Sequence, residues 1–351
     1  MSGREIPTGF EFWPRREQAW SPAEVQQMYA DQFAGAWRDR GARERLCETL
    51  AANGEYALAT NAIDAFGLAE NGKDGLWLLF PAVEQLYPTA FPGPAQERGD
   101  CVSHSSRNAA LASLCAEIVH GEPDAVTRHV EGPPEVSATG IANGVLSSEY
   151  LYWWRGYDSD GWDCATAAEM IRTHGLLLRK RYDELSLDLT TYSGSLAGKF
   201  GSRQPPNQVA EEGRLHLVRT VTECKRFEEI RDLMANGYGV SSCGSEGFSD
   251  DRDANGVSRR SGSWAHAMAY LGVDDRVETR QLYGEPLVLV MNSWGSWNRG
   301  PRRIRGTQVD IPPGSFWAKW SDVSQRYAIA YSSVAGWPRK KLPDYGFAVL
   351  G

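Results

Sequence analysis

Three short stretches of the chain hold the residues best suited to bond-making chemistry. QERGDCVSHS at 96–105 contains Cys101, WAHAMAYLGV at 264–273 contains His266, and VMNSWGSW at 290–297 contains Asn292. A thiol is a useful nucleophile only as thiolate, and a helix N-terminus and a neighbouring imidazolium both pull its pKa down. After Cys101 the apolar residues Val102, Ala109, Leu111, Leu114, Ile118 and Val119 recur at largely helical spacing up to Gly121, so Cys101 is expected at the start of a helix. His266 would supply the cation, hold the thiol proton and deliver it to a leaving amine. The Asn292 side-chain amide would orient the ring from its other nitrogen. The backbone N–H of Cys101 and the side-chain amide of Gln96 would meet the oxyanion of an acyl transfer.

Read together, these segments resemble the papain-like cysteine peptidases, in which a Gln precedes a Gly-x-Cys at a helix start, a His opens an apolar strand and an Asn-Ser-Trp-Gly closes the site. The order Cys, His, Asn is the family's. The separation of 165 residues from Cys101 to His266 exceeds its roughly 130–150 and implies insertions, one of them expected at 274–286 as an elongated hairpin. Further segments are similar to the family: GYDSDGWDCATAAEMIRTHG at 156–175 to its Gly-rich loop and following helix, TECKRFEEIRDLMANGYGVSSC at 222–243 to the helix and strand that open its β-rich half, and GSFWAKWSDV at 314–323 to a late strand and turn of bacterial and phage members. The resemblance covers about residues 76–338. It implies an α+β fold of two subdomains, a helical half at about 95–200 carrying Cys101 and a β-barrel-like half at about 201–338 carrying His266 and Asn292. It further implies hydrolysis of peptide bonds in a protein or peptide substrate through a Cys101 acyl-enzyme, with no cofactor and no metal. Gly161, Trp162, Ala265 and Trp294 would border the cleft, Trp294 as the indole over the His–Asn hydrogen bond. Departures are visible: Gln96 stands five residues before Cys101 where the family has six, and Trp162 occupies the second position of the usual Gly-Gly pair. Two other roles suit the same residues, a binding subunit of a larger assembly such as a phage particle, and an amidase or transpeptidase using the same triad.

Competing patterns are weaker. Six cysteines, at 47, 101, 115, 164, 224 and 243, form no CxxC pair and no zinc-ribbon spacing, which suggests buried, inert thiols in a reducing compartment, Cys101 excepted. His104, one helical turn past Cys101, reads as packed or hydrogen-bonded, and His120, His129, His174 and His216 show no ligand spacing. Asp251, Asp253, Asn255 and Gly256 copy the first half of a calcium loop, but the twelfth position is Gly262 rather than Glu, as suits an ordinary surface turn. There is no phosphate loop, no HExxH and no GxSxG elbow.

The elements that must position the site follow from periodicity and caps. Helices are expected at 22–37, 43–52 and 55–65, making residues 1–75 a helical N-terminal extension, either a pro-segment or a docking arm, before a domain at 76–351. Four prolines in 80–98 suggest an extended connection. Further helices are expected at 163–173 and 226–235, and strands at 238–243, 264–273, 286–292, 315–319 and 327–332.

Composition limits the partners. The 351 residues are 42% hydrophobic and 23% charged, enough for a large buried core. A net charge of −8 argues against binding phosphate backbones or anionic lipid. The longest nearly pure apolar run, Leu76 to Val83, falls far short of the roughly 20 residues of a membrane helix. The N-terminal twenty residues lack the apolar stretch of a secretory signal, so a cytoplasmic or virion-associated location is expected.

Overall fold

A computed structural model of the chain describes residues 75–121, 145–201, 203–218, 221–235 and 237–331. The expected helices at 22–37, 43–52 and 55–65, and the division at residue 75, lie outside or at the edge of these residues. What is described is α+β, with a helical half that leads into an antiparallel sheet. The first half holds α1 (Phe80–Leu86), α2 (Cys101–Gly121), α3 (Glu149–Trp153), α4 (Cys164–His174), α5 (Gly194–Gly198) and α6 (Asn207–Gly213). The second holds β4 (Val221–Cys224), α7 (Phe227–Ala235), β5 (Val240–Arg252), β6 (Ser258–Asp274), α8 (Val277–Tyr283), β7 (Leu287–Met291), β8 (Ser315–Lys319), α9 (Trp320–Val323) and β9 (Tyr327–Tyr331). Two-residue strands β2 (Arg181–Tyr182) and β3 (Leu187–Asp188) pair as a small ribbon.

The sheet runs β4-β9-β5-β6-β7-β8 with every pairing antiparallel. β1 (Leu76–Leu78) pairs with β6 from Gly272 to Asp274, beyond the point where β5 leaves it at Tyr270. Thus the apolar run 76–83 is a strand leading into a helix, buried except at Pro81.

The helix α2 is the central element. Every described side chain from Cys101 to Ala116 is buried, including four serines, Arg107 and Asn108. Small side chains let the sheet approach closely: a Cβ at Gly239 would run into the Ala109 backbone. Two of the buried hydroxyls find partners across this contact, Ser105 Oγ with Ser241 Oγ at 2.7 Å and Ser113 Oγ donating to the Tyr331 carbonyl at 2.8 Å. The expected N-terminal position of Cys101 is observed, with Asp100 contributing the carbonyl that accepts from His104 N–H at 3.1 Å.

The helix α4 starts where its cap dictates. Asp163 Oδ1 accepts from Thr166 N–H at 2.7 Å, Arg172 and His174 close the last turn, and Gly175 follows at φ 71°. Asp163→Ala is expected to cost about 1 kcal/mol of stability, read as a lower urea midpoint at unchanged slope.

Several expectations are corrected. The segment 80–98 is not wholly extended, because Pro81 sits in the first turn of α1, where its missing N–H costs nothing. The 274–286 insertion contains the helix α8 rather than a plain hairpin, ending at Gly284 with φ 78°. β5 and β6 run well past the expected strands, since their polar outer parts, SEGFSDDR and SRRSGS, continue as a ladder with three register shifts. The calcium-like segment, by contrast, is a turn as expected: Asp253 Oδ1 accepts from Asn255 and Val257 N–H. Cys164 and Cys243 are not inert thiols but a disulfide, which a reducing compartment does not favour. Cys101, Cys115 and Cys224 are free and buried, while Cys47 lies outside the described residues. No helix among the described residues is long and apolar enough to cross a membrane.

Candidate active site

The fold brings the N-terminus of α2 against the middle of β6. Cys101 and His266 line one groove of about 480 Å³ between the two halves, in the size range of ligand-binding clefts. Gly161, Trp162 and Ala265, all expected at the cleft, line it too, and the Cys164–Cys243 disulfide and Tyr327 extend it.

His266 is fixed from several sides. Its Nε2 lies 2.7 Å from Asn292 Oδ1, which also accepts from Ser293 N–H at 2.7 Å. An atom accepting from a backbone N–H is the amide oxygen, so the imidazole carries hydrogen on Nε2 and leaves Nδ1 as its basic nitrogen. Trp294 stacks on the imidazole at 4.7 Å between centroids and 29° between planes, and packs in turn on Trp264 and Trp297. Behind the ring, the buried Arg326 donates to the His266 carbonyl at 2.6 Å and pairs with Glu246 at 3.3 Å.

Charge is opposed at each group taken singly. Burial pushes the Cys101 thiol up, against the lowering effect of a hydrogen bond from the Ala267 backbone, and the Asp100 carboxylate adds to the rise. Burial pushes the His266 imidazole down to about 4, with Arg326 and His104 acting the same way against the Asn292 hydrogen bond. The helix-start and imidazolium effects anticipated from sequence are thus set against desolvation. Moving one proton from Sγ to the imidazole creates both charges together, each offsetting part of the other's burial cost.

Gln96 joins the two ends of the site. Its N–H donates to the Ser293 carbonyl at 2.8 Å, its Oε1 accepts from Ser293 Oγ, and its Nε2 donates to the Arg98 carbonyl at 2.8 Å. One Nε2 hydrogen remains for another acceptor. Gly161, at φ 95°, donates N–H to the Gly99 carbonyl and accepts from Tyr157 OH through its own carbonyl. Its N–H is therefore already engaged. Trp162 is half-buried and packs on both hydrophobic cores, so it spans the groove side of the helical half.

Other histidines are accounted for. His104 lies 3.4 Å from Asp100 Oδ2, which also accepts from Tyr192 OH, and its ring meets Tyr192 edge-on. His174 stacks under Trp154 at 3.6 Å and His216 is buried. His129 and the side chain of His120 lie outside the described residues.

Sequence reasoning missed Arg326, Tyr327 and the disulfide. Arg326 and Tyr327 reach the site only because β9 lies beside β5, a pairing no local pattern announces. The two cysteines are 79 residues apart, and spacing carries no sign of their bond.

No protein-family model and no curated protein matches the chain. Among solved structures it is similar to xylellain, a cysteine protease from Xylella fastidiosa, at 15% identity and a TM-score of 0.42, over 74% of this chain and 85% of that one. It is also similar to the cysteine protease and lectin-like domains of Cwp84, a surface layer associated protein of Clostridium difficile, at 17% identity and a TM-score of 0.40, over 71% of this chain and 50% of that one. A third is the digestive procathepsin L 3 of Tenebrio molitor larval midgut, at 13% identity and a TM-score of 0.36, over 68% of this chain and 66% of that one.

Proposed function

We propose that the chain is a cysteine peptidase of papain-like type, cleaving peptide bonds through an acyl-enzyme on Cys101. The observation that carries the reading is the shared groove of Cys101 and His266, with the imidazole pinned at 2.7 Å by Asn292 and roofed by Trp294. Substrate would lie along the groove with its scissile carbonyl over Sγ. The thiol proton passes to His266 Nδ1 as sulfur attacks the carbonyl carbon. The oxyanion then meets the backbone N–H of Cys101 at the start of α2 and the remaining Nε2 hydrogen of Gln96. The protonated imidazole gives its proton to the departing amine, and water, deprotonated by the same nitrogen, releases the acid and restores the thiol.

The test is alkylation with iodoacetamide at about pH 6, where an ordinary thiol is almost wholly protonated. Cys101 is expected to react well ahead of Cys115 and Cys224, whose thiols burial pushes well above the ordinary value. That lead should vanish in His266→Ala. Equal, slow labelling of all three cysteines would overturn the peptidase reading in favour of a binding subunit, and Cys101→Ala retaining full hydrolysis would overturn the acyl-enzyme on Cys101.

A further inference from the structure

The disulfide is placed where it can decide what the groove accepts. β5 sets Cys243 opposite Tyr327 on β9 and opposite Ala267 on β6. Directly opposed residues of antiparallel strands share a face, and all three line the groove. On the other side, Cys164 opens α4 immediately after Gly161, Trp162 and the capping Asp163, which also line it. The sulfur–sulfur bond therefore joins the helical half to the sheet within the lining of the groove that contains Cys101.

We propose that the Cys164–Cys243 disulfide is a specificity wall: it holds the groove beside Cys101 narrow, so that substrates with a small side chain over the Tyr327–Cys243–Ala267 row are taken and bulky ones excluded. This rests on the reading of the groove as the substrate site. The wall is covalent, and it differs from a row of packed side chains in one respect that matters. A side chain swings aside by changing rotamer, whereas a disulfide yields only if the backbones of α4 and β5 part. Next to it Trp162, packed on both cores, has little freedom to make room. Replacing both cysteines by alanine deletes two sulfur atoms from the lining, and either that replacement or reduction frees the two halves to separate at that point.

The experiment compares two alkylating agents with the same reactive group, iodoacetamide and pyrenyl iodoacetamide, and follows modification of Cys101 alone by mass mapping. Because the reactive groups match, the ratio of the two rates reports access and not thiol activation. In the disulfide-bonded protein the small reagent is expected to be strongly favoured, and in Cys164→Ala/Cys243→Ala that preference should fall about tenfold, the scale of a changed apolar pocket. Should the double variant not fold, the folded wild-type protein treated with a water-soluble phosphine serves instead. Phosphorus gives two electrons to the disulfide and takes oxygen from water, and the water protons complete the two thiols. The preference should fall in the same sense. An unchanged rate ratio in a folded protein without the bond overturns the wall, however reactive Cys101 is. A ratio that falls while Cys101 labelling ignores His266→Ala leaves the wall standing and removes the peptidase reading.

Discussion

Replacing His266 by alanine is expected to lower kcat/KM on labelled casein by about a thousandfold while leaving the fold intact. The side chain is buried where it lines the groove, stacked on Trp294 and edge-on to Trp264. In the proposed mechanism its replacement removes the acceptor for the thiol proton, in a site where burial already raises the Cys101 thiol. The pH profile of the unaltered protein carries the same signature. With its pKa lowered to about 4, the imidazole has a free Nδ1 above that value and holds a proton on both nitrogens below it. Activity should accordingly be lost as pH falls through about 4 rather than through the usual histidine range near 6.5. A variant that keeps more than about a tenth of the activity would contradict the assignment of His266 as the base, whereas an acid limb at the ordinary histidine value would contradict only the lowering of its pKa by burial.

The second large effect is on stability. Glu149 is completely buried at the start of α3 and is held by Arg179 in a two-pronged pair at 3.1 and 2.8 Å, with Ser147 Oγ donating at 2.7 Å and Ser193 N–H at 3.2 Å. Burial alone would raise this carboxyl; the charge and hydrogen bonds of Arg179 more than reverse it, and its pKa lies below the ordinary value. Arg179→Met should cost roughly 3–5 kcal/mol at neutral pH, because it strands a carboxylate where water does not reach. Arg107, which also feels the Glu149 charge, stays in place and favours the lower end of that range. The sign of the pH dependence follows. In the wild-type protein the lowered carboxyl stabilises the fold above its unfolded pKa, and this contribution is lost as pH falls through the folded value. In the variant the folded pKa is raised, so the penalty is largest at neutral pH and shrinks on acidification. Urea unfolding at about pH 5 and about pH 8 reads this directly, and adding Glu149→Gln to the variant should recover much of the loss at the higher pH. A penalty independent of pH would mean that lost packing, not stranded charge, dominates.

Those parts of the molecule that depend on neighbours in sequence were legible without coordinates. The start of α2 at Cys101 is marked by the apolar spacing after it, and α4 is bracketed by Asp163 and Gly175, a capping side chain and a residue free to take positive φ. Strands β7, β8 and β9 match their expected bounds within a residue, as short β-branched and aromatic runs between turn residues. The types Cys, His and Asn in that order were enough to suggest acyl transfer, since few side chains can act as nucleophile, base and orienter. Proline misled at α1, because its effect depends on whether it falls in the first turn or beyond it, and composition alone does not say which.

Tertiary structure decided everything that joins distant segments. Gln96 is tied to Ser293, Arg326 to the His266 carbonyl, and Cys164 to Cys243 by pairings whose register is set by the whole sheet packed on α2. The sign of the electrostatics was also a tertiary matter. A helix start and an imidazole are local reasons for a reactive thiol, but how far each group is withdrawn from water depends on the residues folded over it, and for Cys101 and His266 that withdrawal is the largest influence. Residue type and spacing determined which chemistry this chain could attempt; burial and long-range register determined how its groups are charged and how wide a groove they share.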